Sequence, residues 1–233
     1  MRSKPKLLKI LDIITIISFV LATLMVFFYA PLERVMGAVQ KVFYFHVSAG
    51  WVGMLSFMIA AIAGIVYLIK KDSKWDLIGY SAVEIGIAFT MINVITGSIW
   101  ARPIWNSWWT WDPRLTTATI MELVYFAYIM LRQGIDDPER RNRFSAVYAI
   151  VGFISVPLTF FSIRIFDRTI HPVVIGSSAA DAVGSFDMTP LMLQTLLFSI
   201  LVFSILFVDL MWHRIRLGQY SNEIEELKLR IQD

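Results

Sequence analysis

The chain has 233 residues, 57% of them hydrophobic and 17% charged, with no cysteine and a net charge of +3. A soluble domain averages about 45–50% apolar and about 25% charged, so this composition belongs with membrane proteins. The missing thiols exclude disulfides, Cys-ligated metals and covalent c-type haem attachment to this chain, and the modest charge gives no reason to expect a nucleic-acid partner.

In chain order, the basic stretch MRSKPKLLK leads into an apolar run from about residue 10 to 30. That run is too long for a secretory signal core and lacks a small-x-small cleavage site, so it reads as an uncleaved first span. Five more apolar segments follow, and the six lie near 9–30, 43–69, 77–99, 115–132, 144–164 and 189–212. Each is about long enough to cross a hydrocarbon core of ~30 Å. The predicted fold is an all-α integral membrane bundle of six transmembrane helices, one domain over 1–212. A tail over 213–233 follows, in which Ile224, Leu227 and Ile231 recur at helical spacing and predict a short amphipathic helix.

Lys and Arg distribution orients the bundle. One side of the membrane collects 15 of the 21 basic residues, together with both termini, and is predicted to be cytoplasmic. Its connections, KKDSKWD and RQGIDDPERRNR, are short. The longer segments, roughly 31–42, 100–114 and 165–188, fall on the outer side, and long connections in a compact protein are commonly functional or disordered.

The outer segment 100–114 holds five of the eight tryptophans: Trp100, Trp105, Trp108, Trp109 and Trp111. One reading is the aromatic belt at a bilayer interface; the other is a platform for a flat apolar ligand such as a porphyrin. Pro103 and Pro113 bracket the cluster, so any helix between them is short. Helical spacing would pair Trp105 with Trp108 and Trp109, and Trp108 with Trp111, on one face. Asp112 before Pro113 is a helix start, with Asp as N-cap.

Of three histidines, His46 lies about a turn inside the outer end of span two and His171 in the last outer segment, while His213 falls at the inner end of span six, where a helix C-terminus favours it as a capping residue. No HxxxH or HxxE spacing exists for a helix-borne zinc site. Two neutral imidazoles from different elements suit an iron with two axial positions, that is, haem. Arg102, Arg114, Arg164 and Arg168 face outward near both histidines, placed either to fork onto haem propionates or to snorkel to lipid headgroups. Within the spans Glu84 and Glu122 need partners, for which Asn93, a Thr or an Arg are available.

The stretch WNSWWTWDPRLT resembles the tryptophan-rich WWD signature of membrane proteins that handle haem in cytochrome c maturation. The layout over nearly the whole chain is similar to the CcmC family, haem exporter protein C. The resemblance implies haem b at the outer face against Trp100, Trp105, Trp108, Trp109, Trp111 and Asp112, with His46 and His171 as axial ligands. It also implies the haem chaperone CcmE and the ABC transporter subunits CcmA and CcmB as partners, in a bacterial inner membrane. The sequence departs from the family pattern at Ser48, where Pro is frequent, and at Asn106, where Gly is frequent. With no nucleophile–base pair in view, a delivery protein is expected rather than an enzyme. The alternatives are a b-type electron-transfer cytochrome, which would place histidines deep in its spans, and a cofactor-free transporter, which would break its helices at mid-membrane.

Overall fold

The computed structural model describes residues 3–34, 36–166, 169–173 and 188–232. Among them all regular structure is helical, apart from one β-bridge between Glu33 and Gly37. Arg168 lies outside the described residues. The helices are α1 (Lys6–Leu24, continued by a π-helical turn Met25–Tyr29), α2 (Gln40–Lys70), α3 (Ser73–Trp105), α4 (Pro113–Gln133), α5 (Pro138–Gly152), α6 (Ser155–Ile165) and α7 (Pro190–Gln232). Six segments are long and apolar enough to cross a membrane, α5 and α6 together making one of them. The all-α six-span bundle read from the sequence is the observed fold.

Local chemistry explains where the helices begin. Asp72, Asp112 and Asp137 cap α3, α4 and α5, each accepting a hydrogen bond from a backbone N–H of the first turn. Pro113 and Pro138 occupy first helical positions, where the missing N–H costs nothing. α3 ends on Asn106 at φ 52°, a left-handed conformation that Gly adopts freely and Asn tolerates. Asn106 therefore does the work of a glycine at this stop. α2 likewise runs unbroken through Ser48.

Three expectations change. Span five is two helices that break at Phe153–Ile154, because Pro157 has no N–H for the carbonyl of Phe153; the chain restarts so that the proline falls in the first turn of α6, and Ser155 donates to the Gly152 carbonyl at 2.6 Å. The tail is no separate helix: α7 runs for 43 residues, about 65 Å at 1.5 Å per residue, so span six and tail are one rod. His213 consequently sits mid-helix and caps nothing.

α2 is the central element, packed along α3 and also against α5 and α7. The core on its inward face includes Phe57, Val52, Val83, Tyr125 and Phe203, with Phe57 stacked on Tyr125 at 3.4 Å between ring centroids. α1 is the least buried span. The end of the bundle that carries both termini is closed by ion pairs. Arg132 forks onto Asp76 at 2.6 and 2.9 Å, Arg214 meets Glu84 at 2.6 Å, and both guanidinium groups lie over the Tyr80 ring, at 4.5 and 5.3 Å from its centroid. Lys4 and His213 both engage Asp12, which ties α1 to α7. Glu122 takes the hydroxyl of Thr90. Asn93 serves neither glutamate.

Candidate functional site

At the opposite end of the bundle a cavity of about 400 Å³ opens among α2, α3, α4, α6 and the 169–173 segment. That volume falls in the range of about 300–1,000 Å³ usual for small-molecule and cofactor sites. His46 and His171 both line it, as do Trp100, Trp105, Trp108, Trp109, Arg114 and Arg164. The histidines are 125 positions apart in sequence, and the fold brings them to one cavity.

Each histidine is oriented by a backbone carbonyl. His46 Nδ1 lies 2.9 Å from the Asn93 carbonyl oxygen and His171 Nδ1 lies 2.9 Å from that of Pro172. A carbonyl oxygen can only accept, so Nδ1 carries the proton in both rings and Nε2 keeps its lone pair. Neither Nε2 makes a hydrogen bond among the described residues. Burial, with the Arg114 guanidinium and His46 nearby, pushes His171 down to about 3, so its imidazole is neutral at pH 7.

His171 is placed through Asp112. Besides capping α4 by accepting from Arg114 N at 2.9 Å, this buried carboxylate accepts from the Thr169 hydroxyl at 3.1 Å and from Ile170 N at 2.8 Å. One side chain thus fixes both the start of α4 and the segment that carries the second histidine. It stands behind the cavity wall rather than in it. Arg114 leaves α4 to donate to the Thr159 carbonyl of α6, so its charge is held at the cavity by two helices.

The tryptophans do not form the helical face that their spacing predicts. α3 continues through Pro103 and ends at Trp105, and residues 106–112 are not helical. Trp100 and Trp105 therefore sit on α3, rather than in a connection, and meet edge to face at 5.2 Å; Trp105 also meets the His171 ring at 6.1 Å. Trp100 is anchored from beneath, its Nε1–H donating to Met36 Sδ at 3.1 Å. Trp109 and Trp111 pair edge to face at 5.9 Å, but Trp111 is 74% exposed and outside the cavity wall. Arg102 is likewise exposed and bonded to Asn106.

Three aromatic residues the sequence did not single out, Phe43, Trp51 and Phe160, complete the wall together with Asn93, Gly50 and Gly97. Only Asn93 carried a signal, as a polar residue in the middle of a span.

The donor set discriminates between kinds of metal. A bare zinc-like ion needs three or four protein ligands. Among the described residues the group of His, Asp and Glu able to supply three is Asp12, Asp209 and His213, at the far end of the bundle. The cavity offers two imidazole lone pairs, guanidinium cations and indole rings. That set fits an iron that brings its own equatorial ligands and its own carboxylates.

Comparison with known proteins agrees with this chemistry. The family model described as "CcmC: Heme exporter protein C" matches residues 1–230. The chain is 31% identical over 201 residues to "Heme exporter protein C" of Bradyrhizobium diazoefficiens, covering 86% of this chain and 73% of that one. It is 29% identical over 204 residues to the protein of that name from Rhodobacter capsulatus, covering 88% and 83%. The protein of that name from Escherichia coli K12 is 29% identical over 138 residues, covering 59% and 56%. With a match over almost its whole length, and with the cavity its residues build, the chain belongs to the CcmC family of heme exporter protein C.

Proposed function

We propose that this protein holds haem b at the outer face of a bacterial inner membrane, with His46 and His171 as the two axial donors, and presents it to a haem chaperone of the CcmE type for cytochrome c maturation. The observation that carries the reading is the pair of imidazoles, each with Nδ1–H committed to a carbonyl, lining a single cavity. Iron ligation requires neutral imidazole, and an acceptor on the other ring nitrogen raises its basicity and holds its plane. Haem supplies a flat apolar face, two carboxylates and an iron with two open axial positions. Trp100, Trp105, Trp108 and Trp109 give the cavity an indole lining. Arg114 and Arg164 provide cations for the carboxylates, and Asp112 holds the His171 segment.

In this reading the Trp-bearing end is outside and both termini are cytoplasmic, as the basic residues direct. The exposed Trp108 and Trp111 then form the rim offered to the chaperone. The ABC transporter subunits CcmA and CcmB complete the complex. The protein acts as a delivery module, positioning haem for covalent attachment to its partner.

The test is an absorption spectrum of the detergent-purified protein beside His46→Ala, His171→Ala and His213→Ala. A Soret band that is lost or shifted in the first two and unchanged in the third is expected. Equal loss in all three would remove the ligand assignment. Absence of the band even after haem is supplied would make a cofactor-free transporter the better account.

A further inference from the structure

His46 does not stand alone on α2, and its surroundings form a reciprocal interlock with α3. The two helices run antiparallel. On α2, His46 is followed one turn deeper by Gly50; on α3, Asn93 is followed one turn toward the cavity mouth by Gly97. Each helix thus offers a polar side chain and, four residues on, a bare backbone that receives the other's. A Cβ on Gly97 would come within 2.8 Å of His46 Cε1, and one on Gly50 within 2.8 Å of Asn93 Nδ2. At that distance an added methyl must displace the side chain it meets, so the imidazole lies directly on the α3 backbone and the carboxamide directly on that of α2.

Hydrogen bonds close the interlock. Asn93 Nδ2–H donates to the His46 backbone carbonyl oxygen at 2.8 Å, while the Asn93 backbone carbonyl accepts from His46 Nδ1–H at 2.9 Å, with Thr96 Oγ1 a second acceptor at 3.3 Å. The competing assignment has Nδ2–H donating to an unprotonated Nδ1 at 3.2 Å. It would set that lone pair against the Asn93 carbonyl oxygen at 2.9 Å, a repulsive contact, so Nδ1 holds the proton.

We infer that Asn93 is the positioning residue for His46, and that Gly50 and Gly97 are the recesses that let the pair lock one tautomer and one ring plane with Nε2 toward the cavity. The tautomer lock is a property of the protein without ligand; its use in ligation rests on the haem reading above.

Nitrogen NMR of histidine-labelled, ligand-free protein in detergent tests it, since only three histidines need assignment. Wild type shows His46 as the single Nδ1–H tautomer. Asn93→Ala keeps the backbone carbonyl that accepts from Nδ1–H but removes the side chain that clamps it against the His46 carbonyl, and Gly97→Ala pushes the ring off that acceptor; both convert His46 to a mixture of tautomers. With haem supplied, both weaken affinity by about tenfold, the lower end of what loss of a ligand's orienting partner costs. Gly64→Ala is the control. Its Cβ would meet the Ala146 carbonyl oxygen at an equal 2.8 Å, which lowers thermal stability and leaves His46 unchanged. A single tautomer and wild-type affinity retained in Asn93→Ala would overturn the inference, as would an Nε2–H ring in wild type. A locked tautomer in a protein that takes no haem would instead sink the haem reading and leave the interlock standing.

Discussion

The two ends of the bundle use the same residue types to opposite ends. At the end that carries the termini, Arg132, Arg214 and His213 face Asp76, Glu84 and Asp12, so these charges are paired within the protein. At the cavity end, His46 and His171 give one ring nitrogen to the backbone and keep the other, and Arg114 lines the cavity while donating to a backbone carbonyl of α6. A group whose partner is present holds helices together. A group whose partner is withheld, but whose orientation is fixed, is prepared for something from outside. Function is therefore read from which polar groups are held still without being satisfied.

The largest expected effect sits at the closed end. Arg132 and Asp76 are nearly buried, with side-chain exposures of 10% and 11%. Removing one partner leaves a charge uncompensated, so Arg132→Ala lowers stability by about 3 kcal/mol. Thermal unfolding in detergent measures it, and the haem spectrum should not move. A spectral change there would mean that the two ends are coupled.

A smaller effect, divided between stability and site, comes from comparing two caps. Asp137→Ala at the start of α5 costs about 1 kcal/mol and leaves the cavity untouched. Asp112→Ala removes a similar cap and also releases Thr169 and Ile170, so it loosens haem retention by roughly tenfold as well. Equal behaviour of the two variants in a haem off-rate measurement would show that Asp112 is a cap and nothing more.

The smallest effect near neutral pH, and one that grows only in acid, is a pH dependence. His171 is pushed by burial from 6.5 down to about 3. Between those values the unfolded chain binds a proton that the folded one refuses, so stability falls as pH is lowered through that window and is unaffected above it. His171→Ala should flatten the slope of melting temperature against pH between about 6.5 and the acid limit. An unchanged slope would place the imidazole in contact with solvent.

Much was legible in residue order because bilayer and backbone constraints act locally. Span count follows from apolar length, and the start of α4 from Asp112-Pro113. The histidine pair stood out through scarcity and shared sidedness, and the tryptophan cluster through density. Other features were not legible because they depend on what lies across a helix interface. The helical face expected of Trp105, Trp108, Trp109 and Trp111 gave way once α3 ended at Trp105. Of the partners read for the span glutamates, an Arg and a Thr were found, Arg214 at Glu84 and Thr90 at Glu122, whereas the third, Asn93, met His46 instead.

By itself the sequence determined an all-helical bundle of six spans, the helix starts, and the residue types able to hold a flat iron-bearing ligand, since each is set by hydrophobic length or by neighbours within a turn. Only the tertiary structure decided that His46 and His171 share a cavity, that Asp112 ties the start of α4 to the segment that carries His171, and that Gly50 and Gly97 receive the side chains packed at the first ligand. Those outcomes require two backbones to approach within contact distance, and no periodicity along one chain records the register of its partner.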